Sequence, residues 1–346
     1  MGKQTILINL LTDVKVYHYL KYTCLGGTFL SILLYIWLWG KRESKFEFKE
    51  SILFLAGLYI VKLPWEIISN YELERFFLLS QQPVFDWIKQ YILAQFLTFI
   101  FLLGIINTLN WLIKRKHGLE WIIAGAAYGV LLVVINYIFP VWITPLFNKV
   151  TPASPCIKDT AMKLAKEFGL NIDKVYIIDA SRQTTTANAY IIGIWKTNQI
   201  VIYDTLLKNF TTSEIKTVLA HELAHKKEKH LIKGILLSWI LCIVFLTFIY
   251  FKLKKHSMPK IILYFILFSF LVNPFQLAIS RKWEKEADLW ALKSSGNPQA
   301  IISTFTKLSK QNMADPNPSC LEIILFYSHP PISERIKTIE EKGMIK

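Results

Sequence analysis

The sequence predicts a mainly α protein, a polytopic membrane bundle of about six spans with a small α+β unit built on extensions of the last two spans. Composition is the first reason: 53% of the 346 residues are hydrophobic, yet 19% are charged and must face water in some part of the chain. Patterning is the second reason. The apolar residues gather in runs of about 18 residues or more, which is long enough for a helix to cross a bilayer.

The N-terminal region, residues 1–144, is predicted to contain four spans. They cover residues 22–39, 51–68, 91–113 and 119–143. Residues 1–21 have the mixed character of a short amphipathic lead-in at the membrane surface. The second span is less regular than the others, because Lys62, Pro64 and Glu66 lie near its end. Polar groups at that depth are usually buried against protein or water rather than lipid.

The composition changes at Pro145, and residues 145–230 are predicted to form a soluble α+β unit. Its predicted elements are a helix over 157–168, a strand over 174–179, and a hairpin of 190–194 with 199–203. Gly169 is placed to end the helix. Thr211 and Glu214 have the spacing of a capping box, which predicts that another helix begins there.

Two further spans are predicted within residues 231–280, and the C-terminal part, residues 281–346, is predicted to be polar and mostly helical. The spans cover residues 234–251 and 261–280. Pro274 is expected to kink the sixth span. The four cysteines are far apart in the sequence and form no metal-binding or disulfide pattern, so they are expected to be free thiols.

The net charge of +15 is assigned to the membrane rather than to nucleic acid, because Lys and Arg stand beside the apolar runs. The expected partner is therefore the lipid bilayer, with no nucleic acid. An even number of spans places both termini and both polar regions on one side. Charge leaves the orientation open, since basic residues occur on both sides. Those in the opposite loops are Lys41, Arg42, Lys114, Arg115, Lys116, Lys252, Lys254 and Lys255.

A metal motif, HELAH at residues 221–225, lies on the helix predicted after Thr211. His221 and His225 are four residues apart, so they share one helix face and two imidazoles can reach one ion. Glu222 lies beside that ion, where it can deprotonate a metal-bound water. This arrangement is typical of a zinc metallopeptidase. A chance match on a solvated helix is the alternative.

A third ligand is predicted from helix length. If the HELAH helix runs directly into the fifth span, the 26 steps from His225 to Phe251 rise about 39 Å, and the 24 steps from Lys260 back to Glu284 rise about 36 Å. Glu284 then reaches the height of the histidines. Asp288 shares its helix face and can accept a ring N–H from a ligand histidine, whereas Glu286 points about 200° away. An acidic surface turn after a span is the alternative.

These motifs together resemble the type I CAAX prenyl proteases, a family of integral-membrane zinc metalloproteases. The matching segments are HELAH, Glu284-x-x-Ala287-Asp288, residues 143–149, Asn188-Ala189-Tyr190 with Gly193, residues 204–207, residues 328–331 with Glu334 and Arg335, and Leu63-Pro64-Trp65. The sequence departs from the family at two points: eukaryotic members have seven spans, and Lys285 stands where the family usually has an aromatic residue.

The resemblance implies one zinc ion per chain, held by His221, His225 and Glu284, and a catalytic side that faces the cytoplasm. It also implies roles for two residues near the C-terminus. His329 is expected to stabilise the oxyanion, and Arg335 to orient acidic groups. A histidine in a Pro-rich turn and an ordinary helix arginine are the alternatives. His230, about 140° around the helix from His225, is expected to be a residue of the membrane flank rather than a ligand.

The substrate expected from the resemblance is a peptide or protein, possibly prenylated, from which the family removes a C-terminal tripeptide. Asn188, Ala189 and Tyr190 alternate as a strand and are expected to bind it by strand addition. A structural edge strand is the alternative. Two other functions stay open: a membrane quality-control protease of the HtpX type, which is expected to have fewer spans, and a non-catalytic zinc-stabilised scaffold, which would not need Glu222.

Overall fold

The computed structural model describes residues 2–42, 46–115, 119–252 and 257–343. In chain order its helices are α1 (Gly2–Trp39), α2 (Phe48–Ile67), α3 (Leu73–Phe76), α4 (Val84–Arg115), α5 (Glu120–Ile138), α6 (Thr144–Phe147), α7 (Pro155–Glu167), α8 (Asp204–Asn209), α9 (Thr212–Lys227), α10 (His230–Lys252), α11 (Met258–Ser295), α12 (Pro298–Gln311), α13 (Cys320–Phe326) and α14 (Ile332–Gly343). The strands are β1 (Val150–Pro152), β2 (Val175–Ile178), β3 (Ala189–Ile192) and β4 (Gln199–Tyr203).

The predicted fold class is confirmed. Six helical segments of the described chain are long and apolar enough to cross a membrane. They are Thr12–Trp39, Phe48–Phe76, Val84–Lys114, Glu120–Phe147, His230–Phe251 and Met258–Ser295. A small sheet lies between the fourth and fifth of them in the chain. Lys116, Lys254 and Lys255, which the sequence assigns to loops opposite the catalytic side, lie outside the described residues.

The predicted lead-in and first span form one helix, α1, so the boundary expected near residue 21 is absent. Three polar side chains in the described part of this stretch have partners in other parts of the chain. Tyr17 donates a 2.8 Å hydrogen bond to Glu74 Oε1, and Lys21 Nζ lies 2.6 Å from the same oxygen. His18 Nε2 contacts the Met313 carbonyl at 2.8 Å. These contacts tie the first part of α1 to α3 and to the segment after α12.

The second and fourth spans are longer than predicted, because each continues through a π-helical turn into a short helix. These turns are Ile68–Glu72 after α2 and Phe139–Ile143 after α5. The polar end of α2 packs against α4: Lys62 Nζ lies 3.1 Å from Glu66 Oε1 and 2.9 Å from Gln95 Oε1. The polar side chains Lys62 and Glu66 are therefore paired with protein groups and partly buried, while Pro64 is exposed.

The soluble unit is built on a four-stranded sheet of order β1-β2-β4-β3. β2 and β4 are parallel, whereas β1 pairs with β2 and β3 with β4 in antiparallel fashion. The predicted strand and hairpin are confirmed, and β1 is a further strand that was not predicted. The hairpin turn requires glycine at Gly193, where φ is +96° and a Cβ would collide with the Thr197 carbonyl.

Helix α9 packs under this sheet and starts where the capping box predicts. Thr211 N donates to Glu214 Oε2 at 2.8 Å, and Glu214 N donates to Thr211 Oγ1 at 3.4 Å. Leu219 and Leu223 of α9 are fully buried in the core beneath the strands. The helix face that carries the metal motif therefore has a fixed orientation relative to the sheet.

The prediction that α9 runs straight into the fifth span is wrong. The helix ends at Lys227, and Lys229 adopts the left-handed conformation with φ +58° before α10 begins at His230. Local hydrogen bonds close the turn, from Glu228 N to Ala224 O at 2.9 Å and from Lys229 N to Lys226 O at 3.1 Å. The change of direction alters which residues after the motif face the histidines.

Helix α11 packs along α9 and is continuous for 38 residues, with Pro274 inside it. Ala287 and Ala291 of α11 are buried against α9, where Ala220 and Ala224 are equally buried. Small side chains on both faces let two helices approach closely. This contact brings the acidic segment of α11 beside the histidines.

Glu214 also joins α9 to α12 through its buried side chain. Its contribution to the stability of the soluble unit can be measured by substitution. Its side chain is 4% exposed, accepts a 2.6 Å hydrogen bond from Ser303 and lies 2.8 Å from Lys307 Nζ. Burial by itself would raise the pKa of Glu214, but the hydrogen bonds from Lys307 and Ser303 outweigh it and lower the pKa to about 2. The contribution to stability is therefore full above the ordinary carboxyl pKa and is lost as the pH falls towards 2.

We expect Glu214→Ala to lower the free energy of unfolding by about 2–3 kcal/mol at neutral pH, because charge-assisted hydrogen bonds to a buried carboxylate are lost. Thermal unfolding in detergent at pH 7 and pH 4 measures the effect. The loss should be smaller at pH 4 than at pH 7. Glu167→Ala, at an exposed position of α7, is the control. An equal change in both variants would contradict the assignment.

Candidate metal centre

Three potential ligand side chains meet between α9 and α11. His221 and His225 stand one turn apart on α9, with their Nε2 atoms 3.1 Å from each other. Glu284 of α11 places Oε2 3.1 Å from His221 Nε2 and Oε1 3.3 Å from His225 Nε2. The side chain of Glu284 is only 8% exposed. Two imidazoles and one carboxylate therefore converge on a single point.

The cluster fits a zinc ion. Tetrahedral bonds of about 2.1 Å place neighbouring ligand atoms about 3.4 Å apart, close to the separations found here. Glu284 Oε2 is buried and lacks an aligned hydrogen-bond donor within the described part of the chain. A buried carboxylate oxygen without a donor is costly unless a cation compensates it. Nitrogen and oxygen donors of this kind suit zinc.

Glu222 follows His221 on α9 and is mostly withdrawn from solvent. Burial raises the pKa of its carboxyl, and the nearby Glu284 charge acts in the same direction, while His221 and His225 oppose it. A carboxylate whose pKa lies above the ordinary value is a better proton acceptor and donor near neutral pH. Glu222 is therefore close enough to His221, His225 and Glu284 for their charges to act on its carboxyl group.

Asp288 and Arg335 lie behind the cluster. Asp288 Oδ1 is 2.9 Å from His221 Nδ1, close enough for a hydrogen bond once the ring is aligned. Arg335 of α14 donates two hydrogen bonds to Asp288, from Nε at 2.8 Å and from Nη2 at 2.6 Å. The guanidinium also lies over the Phe305 ring, 4.1 Å from its centroid. Arg335 is therefore hydrogen-bonded to the carboxylate that lies behind His221, and its orienting role stays a prediction.

His329 lies on the exposed side of the cluster, in the loop between α13 and α14. Its Nε2 is 3.3 Å from Glu284 Oε2, and its side chain is 56% exposed. Ser328 Oγ is 2.9 Å from His329 Nδ1. A donor in this position can reach a substrate oxygen that enters from solvent.

The expected substrate strand is β3, at the edge of the sheet beside α9. Ala189 is buried on the face that packs on α9, whereas Asn188 is exposed and Tyr190 packs edge-on against Tyr203. By strand alternation the Asn188 side chain shares the Tyr190 face, away from α9. The structure thus brings the strand beside the metal helix without placing these side chains in the cluster.

His230, which the sequence did not predict as a site residue, contacts the cluster, and Glu286 in turn contacts His230. His230 Nδ1 lies 2.9 Å from His225 Nδ1, and His230 Nε2 lies 3.2 Å from Glu286 Oε2. In one continuous helix, as the sequence predicted, His230 would lie about 140° around the axis from His225. Only the left-handed residue Lys229 brings His230 back, and a lysine gives no local signal for that conformation.

Comparisons with known proteins agree with this architecture. Residues 153–342 match the model of peptidase family M48, and residues 12–149 match the CAAX prenyl protease N-terminal model, described as five membrane helices. The matched N-terminal region holds four of the described spans.

Similar proteins cover most of the chain. The uncharacterized metalloprotease YhfN of Bacillus subtilis is 29% identical over 88% of this chain and 76% of that protein. CAAX prenyl protease 1 of Saccharomyces cerevisiae is 29% identical over 81% of this chain and 69% of that protein. The crystal structure of S. mikatae Ste24p superposes with a TM-score of 0.80 at 23% identity, over 96% of this chain and 89% of that one, and so shares the fold.

We expect Glu284→Ala to abolish stoichiometric zinc binding, because two imidazoles alone leave the ion short of protein ligands. Zinc is measured by elemental analysis after dialysis of the purified protein. Glu334→Ala, which removes a half-exposed carboxylate paired with Lys285, is the control and should keep its zinc. Full zinc content in the Glu284 variant would exclude it as a ligand.

Proposed function

This chain belongs to peptidase family M48 and is a multi-pass membrane metalloprotease, and we propose that it cleaves C-terminal segments from prenylated proteins with one zinc ion per chain. The observation that supports the chemistry is the convergence of His221, His225 and Glu284 beside Glu222. The similarity to proteins named CAAX prenyl protease supports the substrate class.

Each residue of the site has a separate role in the proposed peptide hydrolysis. Zinc, when bound, supplies Lewis acidity to the water and to the peptide carbonyl. Glu222 accepts the proton of the attacking water and returns it to the leaving amine. His329, on the exposed side, donates to the oxyanion that develops on the carbonyl. Arg335 holds Asp288, which in turn holds the His221 ring in its ligating orientation.

The open edge of β3, called the β3 track below, offers main-chain groups with which an extended substrate can pair. Asn188 O accepts from Tyr203 N at 3.0 Å, so Asn188 and Tyr190 turn their main-chain groups towards β4. The alternation of an antiparallel ladder then directs the N–H and C=O of Ala189 and Ile191 to the open edge. An extended peptide can pair with these groups whatever its sequence.

Side chains from other elements bind the main-chain groups of this edge just before and just after the β3 track. Asn312 accepts from Ala187 N at 3.1 Å and donates to Ala187 O at 3.2 Å. Lys226 Nζ donates to Gly193 O at 2.9 Å. Among the described residues, the stretch between these two contacts holds two outward-facing residues, Ala189 and Ile191. A track of this length fixes the register of only a short peptide segment, which suits cleavage at a defined distance from a chain end.

The catalytic side is proposed to be cytoplasmic. Six spans place the soluble unit and the C-terminal helices on the same side of the membrane. The separated cysteines are compatible with a reducing compartment. An HtpX-type protease fits less well because it has fewer spans, and a zinc-stabilised scaffold would have no use for Glu222.

Paired peptides test the proposal. The purified chain, with its zinc measured, is offered a prenylated peptide and the same peptide without the lipid, and Glu222→Gln is the control. We expect faster cleavage of the prenylated peptide and a loss of about 10²–10⁴-fold in Glu222→Gln with zinc retained, because Gln cannot accept the proton. Equal cleavage of both peptides would reject the prenyl specificity. Unchanged turnover in Glu222→Gln would reject the mechanism.

The β3 track gives a separate prediction. Ala189→Pro removes one edge-facing N–H without touching the bonds to β4, so we expect KM to rise at least tenfold while zinc content stays constant. Ala189→Gly keeps the N–H and is the matched control. Asn188→Ala should have a milder effect, because its side chain lies on the face away from α9. Wild-type kinetics in Ala189→Pro would place the substrate elsewhere.

A further inference from the structure

The second ligand histidine has a partner that the sequence did not reveal. We propose that His230 and Glu286 form a relay that fixes the tautomer and orientation of His225. The contacts run in series: His225 Nδ1 to His230 Nδ1 at 2.9 Å, and His230 Nε2 to Glu286 Oε2 at 3.2 Å. The inference rests on the proposed metal site, in which His225 ligates through Nε2.

The direction of the hydrogen bonds follows from the carboxylate at the end of the relay. An ionised carboxylate can only accept, so His230 Nε2 must donate to Glu286. In a neutral imidazole the other nitrogen, His230 Nδ1, is then an acceptor, and His225 Nδ1 must donate to it. His225 Nε2 is left with its lone pair free, as a metal ligand requires. The reverse direction would put a proton on Nε2 and block the site.

The relay is held in a fixed place. His230 is 4% exposed and stacks on Trp283, with ring centroids 5.1 Å apart and an interplanar angle of 10°. A buried, stacked ring cannot rotate freely, so its two nitrogens keep their directions. The turn at Lys229 is what places this ring under His225, because a continuous helix would direct it elsewhere.

One segment of α11 supplies a carboxylate for each of the two histidines: Glu286 reaches His225 through His230, and Asp288 contacts His221 directly. Trp283 holds the His230 ring, Glu284 faces the two ligand histidines, and Glu286 and Asp288 orient one histidine each. The two carboxylates differ in exposure, since the side chain of Asp288 is 3% exposed and that of Glu286 is 39% exposed. Loss of Glu286 should therefore cost less than loss of the buried histidine that it orients.

Metal affinity, rather than activity, tests the relay. His230→Phe keeps an aromatic ring on Trp283 and removes both hydrogen bonds. Glu286→Gln replaces the acceptor by an amide that can donate, so the direction of the relay is no longer imposed. Zinc affinity is measured by chelator competition in detergent, and the absorption spectrum of the cobalt-loaded protein reports the ligand geometry. Glu341→Gln, at an exposed carboxylate of α14, is the control.

We expect the zinc dissociation constant to rise about 10- to 100-fold in His230→Phe and less in Glu286→Gln, with a shifted cobalt spectrum in both. The double variant should bind zinc no more weakly than His230→Phe, because Glu286 acts only through His230. Wild-type affinity in His230→Phe, or additive losses in the double variant, would overturn the relay. If His230→Phe does not fold, wild-type affinity and spectrum in Glu286→Gln would overturn it.

The Glu284→Ala variant distinguishes a failure of the proposed metal site from a failure of the relay. If Glu284→Ala loses zinc while His230→Phe binds it normally, the metal site stands and the relay is wrong. If Glu284→Ala keeps zinc, the proposed metal site itself is wrong.

Discussion

The close packing of α9 on α11 is the contact on which the rest of the site depends. Alanines on both helices, Ala220 and Ala224 facing Ala287 and Ala291, are almost fully buried there. Larger side chains would hold the helices apart and withdraw Glu284 from the histidines by more than a coordination bond can tolerate. The sheet above α9 and the helices beside α11 keep this pair from sliding, so the ligand positions follow from packing rather than from the ligands themselves.

A buried set of histidines and carboxylates would be unstable without compensation, because desolvated charges are costly. The chain supplies compensation on both flanks of the cluster. Arg335 makes two hydrogen bonds to Asp288, and Glu286 contacts the buried His230 at the edge of solvent. Each ligand histidine thus has a polar neighbour on the side away from the proposed ion. Glu284 Oε2, which is buried and has no aligned hydrogen-bond donor among the described residues, is an atom that a cation would satisfy.

The membrane and soluble parts are joined by polar contacts that span long distances in the sequence. The loop after α3 and the segment before β3 are linked by Thr185 N donating to Leu79 O at 2.9 Å. The residues just after α12 contact both the soluble unit and the first span. Asn312 pairs with Ala187 before β3, and the carbonyl of the neighbouring Met313 contacts His18 of α1. The strand proposed to bind substrate is therefore fixed relative to the spans.

The sequence by itself determined the features that depend on local periodicity. The six spans follow from apolar runs, the start of α9 from the Thr211–Glu214 capping box, and the shared face of His221 and His225 from their spacing. Helix rise was enough to place Glu284 at their height, although α9 and α10 are not continuous as that estimate assumed. Tertiary structure decided the rest. The left-handed Lys229, the return of His230 to His225 and the outward-facing groups of Ala189 and Ile191 depend on contacts between distant segments, and such contacts leave no periodic signal in the sequence.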